Sequence, residues 1–350
     1  MEFLTEIGVF LAQAVILVIA ILLVVAGIAA ISQRRRSISG EGQIEVRQTN
    51  DKYRAFQDAV KESLETPEAT KERLKAEKKQ ANLDAKAGKK QRSDTSSTDK
   101  PRLFVLRFEG DIQASATDSL REEISSILPV AKSDDEVLVC LESPGGLVHS
   151  YGLAASQLQR ITDAGVPLTI AVDKVAASGG YMMACVADRI VAAPFAVIGS
   201  IGVLAQIPNF HRLLKKNDVD FELLTAGKYK RTLTMFGENT DEGRQKFVED
   251  LEDTFDLFKE FIHERRPKVA IDEVATGEVW YGKRALEKQL IDEIMTSDSY
   301  IQSTLDQRDV VEVRFVPRKS WQEKLGMSAE RVIERLGLRV YQRATERPLP

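Results

Sequence analysis

Histidine is scarce in this chain: only His149, His211 and His263 occur among 350 residues. That leaves no histidine-rich metal motif and few imidazoles for acid–base chemistry. Cysteine is scarcer still. Cys140 and Cys185 each sit inside an apolar run with no C-x-x-C spacing. This argues against a disulfide framework or a thiolate metal site, and both read as small core residues. A dominant charge of either sign is also missing. The formal net charge of −4 argues neither for nor against a polyanionic partner.

Long uncharged runs are few, and the first decides the class of the protein. Residues 9–31, "VFLAQAVILVIAILLVVAGIAAI", carry no charge. As a helix they would measure ~35 Å, enough for a bilayer core. A cleaved signal peptide expects a basic start and a shorter apolar stretch. Here Glu2 and Glu6 precede the run and no Lys or Arg does, so a permanent anchor over 1–33 is expected. Arg34, Arg35 and Arg36 follow directly, and the positive-inside rule puts the rest of the chain in the cytoplasm. A second uncharged run covers 190–207. Pro194, Gly199 and Gly202 interrupt it, and it reads as a buried strand followed by a glycine-rich loop.

Residues 44–83 mix Lys, Arg, Glu and Asp and read as a polar helix. Residues 84–100, "DAKAGKKQRSDTSSTDK", lack apolar content and read as a linker, so 34–100 forms a charged extension. From residue 101 strands and helices alternate. "RLFVLRFEG", "EVLVCLES", "PLTIAVD" and "RIVAAPF" read as strands, with "ATDSLREEISSILPVA", "GLVHSYGLAASQLQRITDAG" and "GGYMMACVAD" as helices. The order predicts an α/β domain with a largely parallel sheet covered on both faces. The domain is expected over 101–310, with a tail over 311–350.

Three segments inside this domain carry chemistry. "SPGG", Ser143 to Gly146, follows a strand, where α/β proteins bind ligands. Paired glycines let an acyl group approach backbone N–H donors, although an ordinary turn uses the same residues. "AASGG" places Ser178 at the start of a helix, suited to an N-cap or to a nucleophile beside the Gly179 N–H. A serine nucleophile needs a base. His149 opens a helix, His211 lies in "IPNFHRLLKK" and His263 in a charged helix, and all three read as surface or capping residues. A lysine whose pKa is lowered by burial can serve instead. "TAGKYKRT", after the expected strand "VDFELL", offers Lys228 and Lys230 next to Arg231.

In this order, "SPGG", "AASGGYMMACVADRIVA", "GSIGV", "GKYKR" and "VWYGKRALEKQLIDEI" resemble the signal peptide peptidase A family of membrane-anchored serine proteases. The resemblance covers most of 101–300, and the layout matches the branch with one span and one catalytic domain. It implies a Clp-protease/crotonase-like fold. It implies a Ser/Lys protease with Ser178 as nucleophile, Lys230 as general base and Ser200 as the hydroxyl that orients the lysine. Gly146 or Gly145 would form one side of the oxyanion hole and Gly179 the other. Related Clp proteases carry a histidine in the region that here reads "IGSIGV", where this chain has none. The resemblance further implies extended peptide substrates, such as signal-peptide remnants or membrane-protein fragments. The setting would be the bacterial inner membrane, with the periplasmic face as the alternative to the cytoplasmic one. A homo-oligomeric ring sharing its dyad across subunits is expected, with no cofactor, metal or nucleic acid. Rival readings are a crotonase-like enzyme acting on acyl-CoA and a non-catalytic membrane scaffold.

Overall fold

Strands whose residues are apolar at nearly every position need cover on both faces. The computed structural model describes residues 42–66, 68–73, 75, 79 and 100–317. Within them β1 (Gly42–Gln48), β2 (Arg102–Glu109), β3 (Glu136–Glu142), β4 (Leu168–Val172), β6 (Arg189–Ala192), β9 (Glu293–Ile294) and β10 (Asp309–Pro317) form one sheet in the order β1-β10-β2-β3-β4-β6-β9. From β10 to β9 every adjacent pair is parallel.

The two faces follow the period of two that strand geometry imposes. Phe104, Leu106, Phe108, Val137, Val139, Ile170 and Val172 point to one side. There they pack on α2 (Thr117–Ile127), α3 (Val148–Asp163) and the short α4 (Gly179–Ala184). Leu103, Val105, Leu138, Ala171 and Val191 point to the other, against Tyr300 and Ile301 of α9 (Ser297–Thr304) and Tyr53 of α1 (Thr49–Leu64). All five residues of β4 are buried, which marks it as a central strand. The α/β fold with a mostly parallel sheet is therefore as expected.

A second sheet matters for the site. β5 (Val175–Ala177) pairs in parallel with β7 (Val197–Gly199), and β7 pairs antiparallel with β8 (Val279–Tyr281). The remaining helices are α5 (His211–Lys216), α6 (Asp241–Arg265), α7 (Ile271–Val274) and α8 (Gly282–Glu287).

Several details differ from the sequence expectation. The polar helix expected from residue 44 is preceded by a strand. "GQIEVRQ" alternates apolar Ile44 and Val46 with polar residues and forms β1. Helix α1 starts only at Thr49. There the Asn50 side chain accepts from the Val310 N–H at 2.6 Å and donates to the Leu305 and Arg308 carbonyls at 3.0 Å each. The segment "VDFELL" is not a strand. No neighbouring strand offers it a ladder among the described residues, and its side chains are exposed. The expected tail contributes residues 311–317 to β10.

Residues 44–314 form one compact unit, and all that follows concerns it. The expected anchor at 9–31, Arg34 to Arg36, most of the linker and residues 318–350 lie outside the described residues. No helix among the described residues is long and apolar enough to cross a membrane.

Candidate active site

Three loops meet at the ends of β3, β5 and β7. Beyond β3, Ser143 bridges Ala176 in parallel. The Ser143 N–H donates to Val175 O at 2.8 Å, and the Ala177 N–H donates to Ser143 O at 3.0 Å. Beyond β5, the Ser178 N–H donates to Gly199 O at 2.7 Å. Beyond β7, the Ser200 N–H donates to Glu278 O at 2.6 Å. Backbone hydrogen bonds thus clamp Ser178 between the "SPGG" and "GSIGV" loops.

The glycines are there because the loops touch. A Cβ on Gly145 would stand 2.8 Å from Gly179 N and 2.8 Å from Ser178 Cβ, and its φ of +88° already suits glycine alone. A Cβ on Gly179 would stand 2.4 Å from Tyr151 Cγ, inside any permitted contact. Side chains at either position would push the loops apart.

Ser178 is not an ordinary cap. It occupies the N-cap position of α4, yet its side chain makes no capping hydrogen bond. Its backbone, φ 52° and ψ −118°, lies far from the extended geometry of a normal N-cap. Holding a non-glycine residue there costs roughly 1–3 kcal/mol. The same turn leaves the Gly179 N–H without a partner among the described residues. On the facing loop the Gly145 N–H is occupied, donating to Ser143 Oγ at 3.1 Å, whereas the Gly146 N–H has no partner among the described residues. Two unpaired N–H groups therefore lie near half-buried Ser178, one on the next residue and one on the glycine loop that faces it. Such a pair can stabilise a developing oxyanion.

The lysines lie elsewhere. Residues 204–231 form an arm exposed along almost its whole length, with Leu204 at 79% and Leu224 at 90% exposure. Its base is closed by Asn209, whose side chain donates to Thr234 O at 2.8 Å and Gly237 O at 3.0 Å. Lys228 Nζ is engaged by Glu242 at 2.7 Å and lies over the Tyr229 ring, contacts that hold its ammonium above the ordinary lysine pKa. The Lys230 amine has no partner among the described residues and no hydrogen bond to Ser178. The structure thus brings together Ser178, Ser200, Gly145, Gly146 and Gly179, and leaves Lys230 on the exposed arm. Among the described residues no group of three His, Cys, Asp or Glu side chains is arranged to hold a metal ion.

Comparison with known proteins fits this arrangement. The model for the N-terminal part of peptidase family S49 matches residues 2–158, and that for peptidase family S49 itself matches 160–311. Over 332 residues, 94% of each chain, the sequence is 50% identical to the "Probable protease SohB" of Haemophilus influenzae. The chain belongs to peptidase family S49. Two further S49 relatives are probable SohB proteases of Buchnera aphidicola. One is 64% identical, covering 57% of this chain and 66% of its own; the other is 54% identical, covering 69% and 72%. This membership supports a protease function.

Sequence reasoning missed two residues beneath the candidate site. Ser143 was legible only as part of a turn, and Tyr151 only as one apolar position on a helix. Both are 0% exposed, and their hydroxyls lie 2.6 Å apart beneath the loops. Only the fold brings them together.

Proposed function

We propose that this protein is a membrane-anchored serine endopeptidase that cleaves extended peptides through Ser178 and Lys230. One observation carries the reading: a strained, uncapped serine followed directly by the free N–H of Gly179 and faced by the glycine loop that holds the free N–H of Gly146. A merely structural serine has no need of that conformation.

In the proposed reaction the Ser178 Oγ attacks the scissile carbonyl and passes its proton to neutral Lys230. The carbonyl oxygen becomes an oxyanion held by the Gly146 and Gly179 N–H groups. The lysine ammonium then protonates the departing amine and an acyl-enzyme remains. Water, deprotonated by the same lysine, attacks the ester and releases the acid and Ser178. Ser200, beside Ser178 at the end of β7, orients the lysine. Of the two candidate glycines on the "SPGG" loop, Gly146 fits the donor role, because Ser143 already takes the Gly145 N–H.

Lys230 must reach this site from the arm. Burial favours the neutral amine, and one chain alone leaves the arm exposed. We therefore propose that subunits assemble so that a neighbour covers the arm and completes the dyad. Exposed Phe221, Leu224 and Leu204 on the same arm give such a contact apolar area to bury. The substrates we propose are signal-peptide remnants or unfolded membrane polypeptides at a bacterial inner membrane. The test is labelling with a fluorophosphonate probe. Modification of Ser178 that disappears in Ser178→Ala supports the reading; labelling elsewhere, or peptide hydrolysis that survives Ser178→Ala, rejects it.

A further inference from the structure

The hydroxyls beneath the loops form a chain with a fixed direction. Tyr151 Oη lies 2.8 Å from the Asp111 carbonyl, which can only accept, so the phenol donates there. Its single proton is then used, and Tyr151 must accept from Ser143 across their 2.6 Å contact. Ser143 Oγ, having donated its own proton, accepts from the Gly145 N–H at 3.1 Å. The order is Gly145 N–H to Ser143, Ser143 to Tyr151, and Tyr151 to the Asp111 carbonyl. Burial raises the Tyr151 pKa, which keeps the phenol protonated and the direction unchanged at neutral pH.

The same tyrosine touches the other loop. Its ring lies where a Gly179 side chain would stand, so the backbone carrying the second N–H rests on it. Ser143 in turn lies under Gly180, where an added Cβ would stand 2.5 Å from its carbonyl oxygen. Ser143 and Tyr151 together therefore support both the "SPGG" loop and the turn that carries Ser178 and Gly179. Gly110 closes it from the β2 side, since a Cβ there would meet Ser143 Oγ at 2.4 Å and Tyr151 Oη at 2.5 Å.

We propose that Ser143 and Tyr151 are positioning residues: their hydroxyl chain ties up the Gly145 N–H so that the Gly146 N–H faces the oxyanion, in register with the Gly179 N–H. The proposal rests on the reading of Ser178 as nucleophile. Neither residue touches substrate. Without the chain, the "SPGG" loop keeps its glycines but loses the acceptor that orients the Gly145 peptide. Misplacing a catalytic group by ~1 Å can cost about 100-fold, and deleting an oxyanion donor about 100- to 1,000-fold.

The experiment compares Tyr151→Phe, Ser143→Ala and the double variant in the full-length protein. It measures hydrolysis of a peptide amide, inhibition by a peptide aldehyde that forms a tetrahedral adduct, and thermal unfolding. We expect kcat to fall ~10- to 100-fold with KM changed less than ~2-fold, and aldehyde affinity to weaken by the same factor as kcat. The double variant should be no worse than the more damaged single one, because the hydroxyls act as one chain. Unchanged kcat in folded variants, a rise in KM alone, or additive losses would overturn the proposal. Ser143→Ala keeps the test decisive if Tyr151→Phe does not fold. Ser178→Ala runs alongside. If it stays active, the nucleophile reading fails; if it is dead while Tyr151→Phe keeps full kcat, only the positioning role fails.

Discussion

Ser178 and Ser200 stand side by side, each one residue past the paired Ala177 and Gly199, and both have positive φ, 52° and 49°. Two strands end at the same level, and each turns through a conformation that serine rarely adopts. The strain at Ser178 is tied to its neighbour through the 2.7 Å bond from its N–H to Gly199 O.

That strain is measurable. Ser178→Gly should raise stability by about 1 kcal/mol, because glycine reaches this φ and ψ freely, while peptide hydrolysis disappears. Ser178→Ala should lose hydrolysis without the gain. Urea melts of the two variants beside the parent check it. Equal stability of the Gly and Ala variants would mean that the loops, not the residue, set the conformation at no cost.

A shared site makes a sharper demand. Ser178→Ala and Lys230→Ala chains should each be inactive, and mixing them before assembly should restore some hydrolysis, since a composite site can take each residue from a different subunit. Lys230→Arg should stay inactive, because a guanidinium remains protonated. Verified mixed assemblies with no activity would mean that the dyad closes within one chain.

Acid should loosen the sheet at identifiable points. Burial works to raise the Asp135 carboxyl, but Arg102 and the N–H groups of Lys132 and Arg102 outweigh it and hold it below the ordinary value. Asp292 behaves alike, with burial opposed by Arg266 and the Ile190 N–H. A lowered folded pKa contributes stability above the unfolded value near ~4, and that contribution is lost as pH falls through the folded value. The stability of the parent should therefore drop steeply below about pH 4. Asp135→Asn should cost about 1–3 kcal/mol at pH 7 and flatten the acid limb, as followed by urea melts from pH 7 to pH 3. An unchanged acid limb would remove Asp135 from this account.

Membrane orientation is open to a direct test. Arg34 to Arg36 flank only the C-terminal end of the apolar run, which favours a cytoplasmic domain. A reporter active only in the periplasm, fused at the C-terminus, should be silent, and strong signal would reverse the assignment.

The sheet was legible because its strands are short apolar runs and its helices amphipathic, a contrast that local pattern preserves. The site was legible only where chemistry and backbone coincide. The glycines beside Ser178 and in "SPGG" announce close approach, and the structure finds it. Tyr151 was invisible because its ring obeys the helix pattern and only its hydroxyl departs from it. The strand expected at "VDFELL" failed for the opposite reason: its pattern suits a strand, but a strand also needs a partner, and pattern cannot supply one.

The place of β10 in the sheet has a consequence in time. β2 is hydrogen-bonded on one side to β3, which follows it closely, and on the other to β10, made about 200 residues later. At a ribosomal pace of ~5–20 residues per second, that edge stays open for roughly 10–40 seconds, and Ser178 and its loops are synthesised within that interval. Nascent chains must therefore keep a bare apolar strand from pairing with a stranger, and β10, the last strand among the described residues, is the one that seals it.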